Sequence, residues 1–457
     1  MAGDPLYGHS IRQLQALDRA AVWHPFTQMA GYADPLVIVR GEGNYLIDAE
    51  GRRYLDGVSS LWCNLHGHRR PEIDRAIREQ LDRVAHTTLL GLGSPPSIEL
   101  ARRLVALAPG DLGHVFYSDD GSTVVEAALK IACQYHRQKP RAEPRRTRFI
   151  AMEHGYHGDT LGSVSVGGID LFHATYRPLL MDVARVPSPW CYRCPLGLRR
   201  DACRLQCADE MDRAVDRVAG EAAAVVIEPL VQGAAGMIVH PEGYLRRVRR
   251  ACDRAGCLLI ADEVAVGFGR TGTMFACEQE QVVPDLLCLA KGLTGGYLPL
   301  AATLARRHVY EAFLGTRAEK KTFYHGHTYT GNALAAAAAL ASLDIFESQR
   351  VLEGLPAKIE RLGRALAPVA RLEHVGDVRQ KGLMVGIELV ADRASRRPYA
   401  FEEAVGDRVC AAVRPRGVIL RPLGDVVVLM PPLSITLDEI DLLVGATGEA
   451  IQEVTRP

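Results

Sequence analysis

The chain has 457 residues, 48% apolar and 24% charged, enough to bury a sizeable core in more than one domain. Its 54 basic residues balance 54 acidic ones, so no net field draws in nucleic acid or an anionic membrane. The opening residues show no basic-then-apolar leader, and the most apolar stretch, 333–345, is too short to span a bilayer. A cytoplasmic enzyme is therefore expected.

A helical segment at 11–22 leads into WHPFTQM (23–29). A hairpin-like alternation follows, LVIVRGEGNYLIDAEGRRYLDG, with turns at Gly41–Gly43 and Ala49–Gly51. Helical periodicity takes over in PEIDRAIREQLDRVAH and again at 97–107. The middle alternates between strands (HVFYS, RFIAM, AAVVIEP, CLLIAD) and helices (TVVEAALKIACQYHRQ, a segment reaching Ala219, YLRRVRRACDRAG). Such alternation predicts an α/β domain with a mainly parallel sheet between helical layers. Beyond Gly331, helices at 332–347 and 351–370, the runs LMVGIELV and VVVLM, and a helix from Leu437 read as α+β. The expected organisation is a large domain over 66–332 and a small α+β domain built from 1–65 and 333–457.

Two short apolar runs stand out, Leu258–Ala261 and Leu286–Ala290, bounded by polar or glycine-rich residues as buried parallel strands are. The first ends at Asp262 and the second at Lys291. Ligands of open α/β sheets gather at the carboxyl ends of strands, so both side chains are expected in one pocket. A lysine amine for a Schiff base and an acid for a pyridinium nitrogen are the requirements of pyridoxal phosphate chemistry. Most lysines simply point to water, but this chain has seven beside forty-seven arginines, and Lys291 alone ends an apolar run before a glycine-rich turn.

Other candidates are weaker singly. SDDGST (118–123) offers free amides and hydroxyls at a helix start, suited to a phosphate or to ordinary capping. Tyr156, in GYHGDT, can stack on a flat ring or be a surface tyrosine. Glu228 ends AAVVIEP as Asp262 ends LLIAD. Arg421 follows the run GVIL and suits a substrate carboxylate, though surface arginines are common here. GFGRTG (267–272) fits neither a dinucleotide fingerprint nor a P-loop and reads as a shaped turn. Cys191, Cys194, Cys203 and Cys207 include a CxxC. Their spacing matches no zinc pattern, so no metal is expected, with these four as the one candidate set.

The ordered set EP (228–229), DEV (262–264), GFGRTG (267–272) and KG (291–292) resembles the class-III aminotransferases of PLP fold type I. Within that family, WHPFTQM, LHGHRRPEI, GYHGDTLGSVSVG, VQGAAGMIVHPEG, HGHTYTGN and RPLGDVVVLMPP are similar to the biotin-pathway members, which convert 8-amino-7-oxononanoate to 7,8-diaminononanoate. The resemblance implies pyridoxal phosphate bound through Lys291, with Asp262 at the pyridine nitrogen, Tyr156 on the ring, Glu228 nearby, and Gly121 and Ser122 on the phosphate. It implies a homodimer with shared sites, Thr328 reaching the partner's phosphate. Arg421 is expected to grip the substrate carboxylate and Trp62 to line the pocket.

The departures concern the donor. Phe26 stands where members using S-adenosylmethionine carry a tyrosine, Leu61 replaces a tryptophan, and His327 replaces a proline. That pattern looks like members using lysine, so both donors are carried forward. Asp120 stands where a serine is usual, and an inward carboxylate there would repel phosphate. Alternative activities are a class-III omega-aminotransferase acting on another amine and an aminomutase-type isomerase.

Overall fold

The computed structural model describes residues 4–456. At its centre is a seven-stranded sheet made of β1 (Leu112–Ser118), β2 (Arg148–Met152), β3 (Val183–Val186), β4 (Ala222–Ile227), β5 (Leu258–Asp262), β6 (Leu286–Leu289) and β7 (Ala301–Arg306). Their order is β1-β7-β6-β5-β4-β2-β3. β2 to β6 pair in parallel, whereas β7 runs antiparallel to both β6 and β1. Every residue of β4, β5 and β6 is buried, because helices cover both faces. That is why these strands read as unbroken apolar runs.

The sheet is α/β and mainly parallel, as expected, but two of its strands left little trace in the sequence. AATLAR is rich in small residues and VARV is short, so neither gives a clear period. Helix α1 (Gly121–Gln138) buries Val124, Val125, Ala128, Leu129 and Ala132 against the sheet. Between strand and helix, the chain turns back at the carboxyl end of the sheet, and the candidate residues collect there.

Outside this sheet, Ile38–Glu42, Tyr45–Asp48 and Arg53–Asp56 form an antiparallel meander. Val418–Ile419, from the far end of the chain, pairs in parallel with its last strand. A second four-stranded sheet contains Val375–Lys381, Met384–Leu389, Arg421–Leu423 and Val426–Leu429. No helix among the described residues is long and apolar enough to cross a membrane.

Arg270, in the GFGRTG turn, ties these parts together. Its side chain is 1% exposed and donates to the carbonyls of Pro431 at 2.5 Å and Asn64 at 2.9 Å. Burial lowers its pKa to about 10, which leaves it charged at neutral pH. One guanidinium thus joins three distant pieces of chain. Each carbonyl left buried without a donor costs about 1–3 kcal/mol. Arg270→Met is expected to lose at least about 2 kcal/mol of stability, seen as a lower midpoint in thermal or urea unfolding; an unchanged midpoint would deny the tie.

Candidate active site

Five strand ends supply the site. β5 ends in Asp262, Glu228 follows β4, Lys291 lies two residues past β6, the loop after β2 carries Tyr156 and His157, and β1 runs into the start of α1. Together Trp62, Gly121, Ser122, Tyr156, His157, Glu228, Asp262 and Lys291 line one cavity of about 190 Å³. The residues singled out from separate motifs therefore meet.

The deepest contact is between His157 Nδ1 and Asp262 Oδ2, 2.7 Å apart, with both side chains almost fully buried. The other Asp262 oxygen accepts the Val264 amide at 3.0 Å. Burial opposes a charge on His157, but the hydrogen bond and charge of Asp262, helped by Glu228, outweigh it and raise the pKa above its ordinary value. His157 was not singled out from the sequence. Its only signal was its place beside Tyr156 in GYHGDT.

Glu228 is buried too, accepting the Tyr156 amide at 3.1 Å and the Gly233 amide at 2.8 Å. Its carboxylate therefore fixes the backbone of the Tyr156 loop. Tyr156 itself donates its hydroxyl to Asp159 Oδ2 at 2.7 Å and presents its ring to the cavity. Lys291 Nζ stands 5.1 Å from the centre of the Trp62 ring. Burial lowers the pKa of this amine, opposed by Asp262 and Glu228. Lys291 (φ 44°), Ser59 (φ 52°), Ser60 (φ 63°) and Trp62 (φ 65°) all occupy the left-handed region. Strain of this kind persists where surrounding structure enforces it and clusters at functional sites.

At the start of α1, Asp120 caps the helix by accepting the Thr123 amide at 2.9 Å. Asp120 also lines the cavity, with one carboxylate oxygen engaged by the helix end. The amides of Gly121 and Ser122, in the first turn, have no partner within the helix and lie open to an anion. A Cβ at Gly158 (φ 113°) would collide with Ser122 Oγ, so only glycine lets the Tyr156 loop lie against this turn.

Arg421 and Phe26 stand apart from that cavity but together, the guanidinium 5.7 Å from the ring centre. Phe26 also meets Phe172 edge-on at 5.3 Å, and Phe172 meets Tyr156 at 6.3 Å, so a row of rings joins Arg421 to the cavity wall. Leu61 is 46% exposed. Thr328 is exposed and is not brought to the cavity of its own chain, its carbonyl accepting from His86 at 2.8 Å. His327 lies 3.0 Å from Asp119.

The four cysteines are not gathered as ligands. Among the described residues no group of three or more His, Cys, Asp or Glu side chains is placed to hold a metal ion. Cys207 is buried within the helix Gln206–Arg217, its thiol pushed up to about 12 by burial and then by Cys203 and Cys191. The Cys203 thiol lies 3.4 Å from Gln206 Oε1.

The model of the family described as aminotransferase class-III matches residues 28–451. The chain belongs to the class-III aminotransferases. It is 63% identical over 453 residues (99% of this chain, 84% of the relative) to an adenosylmethionine-8-amino-7-oxononanoate aminotransferase of Nitratidesulfovibrio vulgaris. The crystal structure of the enzyme of that name from Methanocaldococcus jannaschii superposes with a TM-score of 0.93 at 47% identity, covering 98% of this chain and 100% of that one. An (S)-enantioselective omega-transaminase from Thermomicrobium roseum also gives 0.93, at 37% identity and 98% and 99% coverage.

Class-III aminotransferases depend on pyridoxal phosphate. The site fits that group: free amides at a helix start for a phosphate, a half-buried lysine amine with a lowered pKa, and a buried carboxylate held by histidine.

The same electrostatics predict a pH dependence. Burial raises the Glu228 pKa from 4.5 to about 7. The folded chain keeps this proton where the unfolded chain has lost it, so the stabilising contribution is full below about 4.5 and vanishes as pH rises through about 7. In cofactor-free protein, Glu228→Gln should gain on wild type by about 2–3 kcal/mol between about pH 5 and about pH 8. Urea unfolding across that range reads the difference, and parallel curves would contradict it.

Proposed function

We propose that this aminotransferase makes 7,8-diaminononanoate from 8-amino-7-oxononanoate, the biotin-pathway step, in a ping-pong reaction. The observation that carries this reading is the set of Lys291, Asp262, Tyr156 and Glu228 around one cavity, within a chain that keeps 63% identity to a relative bearing that name. The functional form is proposed to be a cytoplasmic homodimer in which Thr328 serves the partner's phosphate site; its exposure on the free chain is consistent with that.

When bound, pyridoxal phosphate supplies an electron sink for the carbanion left when a proton leaves the carbon beside the amine. The rest falls to the chain. The Gly121 and Ser122 amides bind the phosphate, and the Tyr156 ring covers one face of the cavity. Asp262, fixed by His157 and Val264, offers negative charge to a ring nitrogen and so favours its protonated form. The Lys291 amine, easier to deprotonate than an exposed lysine, would hold the cofactor covalently and, once released from it, would be the base placed to move the proton at the substrate carbon. Arg421, held over Phe26, takes the substrate carboxylate, and Trp62 closes the wall beside Lys291.

For the donor, two amines fit. The relatives' names specify adenosylmethionine, whereas Phe26 lacks a tyrosine's hydroxyl and Leu61 lacks an indole face. A lost hydrogen bond and a lost aromatic contact are each worth about 0.5–1.5 kcal/mol. Together they shift donor preference by about tenfold to a hundredfold. Lysine, slimmer and ending in an ammonium, needs neither.

Product analysis with 8-amino-7-oxononanoate and each donor tests the whole reading. The diamine should form with at least one of them, and Lys291→Ala should abolish it. Phe26→Tyr with Leu61→Trp should move kcat/KM toward adenosylmethionine by about tenfold or more. Absence of the diamine with both donors would overturn the substrate assignment. Strong preference for adenosylmethionine in wild type, unchanged in the double variant, would show that these positions do not set the donor.

A further inference from the structure

A second cavity, about 670 Å³, shares no residue with the first. It lies where the loop after β3 (187–203) meets the strand Val375–Lys381, and Trp190, Tyr192, Arg200, Arg379 and Arg396 line it. Its volume falls in the range of small-molecule sites, about 300–1,000 Å³.

Three buried donors at this place lack acceptors: Trp190 Nε1, Tyr192 Oη and Arg379 Nη2. Arg379 is the telling one, because its side chain is 7% exposed. Nε donates to Gly236 O at 2.8 Å, and Nη1 to Glu388 at 2.6 Å and Asp377 at 3.1 Å, yet Nη2 is left over. Buried donors are normally satisfied, and an unmade bond at a guanidinium is costly. Nη2 is itself closed to solvent, so Arg379 is part of the cavity wall and not a donor that a ligand reaches; the ligand is read from the charge around it.

The surrounding charge says which kind. Arg199 is neutralised by Asp201 at 3.3 Å, and Arg379 by Glu388 and Asp377. Arg200 and Arg396 have no carboxylate within 4.0 Å among the described residues. Arg396 is held in place all the same, donating to the Tyr192 carbonyl with its guanidinium 5.0 Å from the Tyr192 ring. Glu388 is already shared with Arg193, at 2.6 Å, so it has little left to give. Two free guanidiniums facing one cavity ask for a ligand rich in acceptors and negative charge.

We propose that this cavity binds a small multivalent oxyanion, phosphate- or carboxylate-bearing, between Arg200 and Arg396. The site is separate from the phosphate-binding amides at the start of α1.

The test is isothermal titration of the cofactor-loaded protein with pyrophosphate and, separately, with citrate. The absorbance of the bound cofactor is followed to show that it stays in place. At low salt, saturable binding of one anion per chain is expected with at least one of the two probes, and the tighter one distinguishes phosphate- from carboxylate-bearing ligands. Arg200 and Arg396 are exposed, so Arg200→Gln alone and with Arg396→Gln should keep wild-type unfolding midpoints and activity. The single variant should raise Kd several-fold and the double at least tenfold. No saturable binding of either probe, or a Kd unchanged in the double variant, would overturn the proposal.

Discussion

The site depends on a buried contact between His157 and Asp262, made at the carboxyl end of the central sheet. Ionised carboxylates are costly to bury unless their lone pairs are engaged. Here one oxygen takes the imidazole at 2.7 Å and the other takes the Val264 amide at 3.0 Å, so the carboxylate has one orientation. Removing the imidazole would leave Asp262 charged and under-bonded, or neutral and unable to oppose a cationic nitrogen.

Neighbouring groups follow from that constraint. With a carboxylate already fixed in the pocket, Glu228 is pushed toward its neutral form, up to about 7, chiefly by burial. The lowered pKa of Lys291 has the same main cause, burial. Desolvation thus raises the acid and lowers the base within one cavity, the direction in which proton-moving groups are tuned. Backbone strain at Lys291 and at Ser59–Trp62 shows that the fold holds these residues in place against their local preference.

Much of this was legible in the sequence, for a definite reason. A strand buried on both faces is an unbroken apolar run, so the polar residue that ends it is conspicuous, and Asp262, Glu228 and Lys291 all announce themselves that way. His157 did not, because a histidine in a glycine-rich loop has no period to break. The antiparallel β7 was hidden by its alanines, and the capping role of Asp120 was not visible because a carboxylate beside a phosphate loop and a helix cap look alike in sequence. The surroundings of Thr328 and Leu61 are less legible still. Both are exposed, and no hydrophobic period or turn signal in their surroundings marks them out.

The most direct test of this account is His157→Phe, which keeps a ring but no donor, in protein loaded with pyridoxal phosphate. A lost hydrogen bond to a charged group is worth about 1.5–3 kcal/mol. The account predicts that cofactor stays bound and KM is nearly unchanged while kcat falls about tenfold to a hundredfold. The pH at which the cofactor's absorbance titrates should shift in the same variant. Wild-type kcat together with an unshifted titration would contradict the claim that His157 holds Asp262 in its working state.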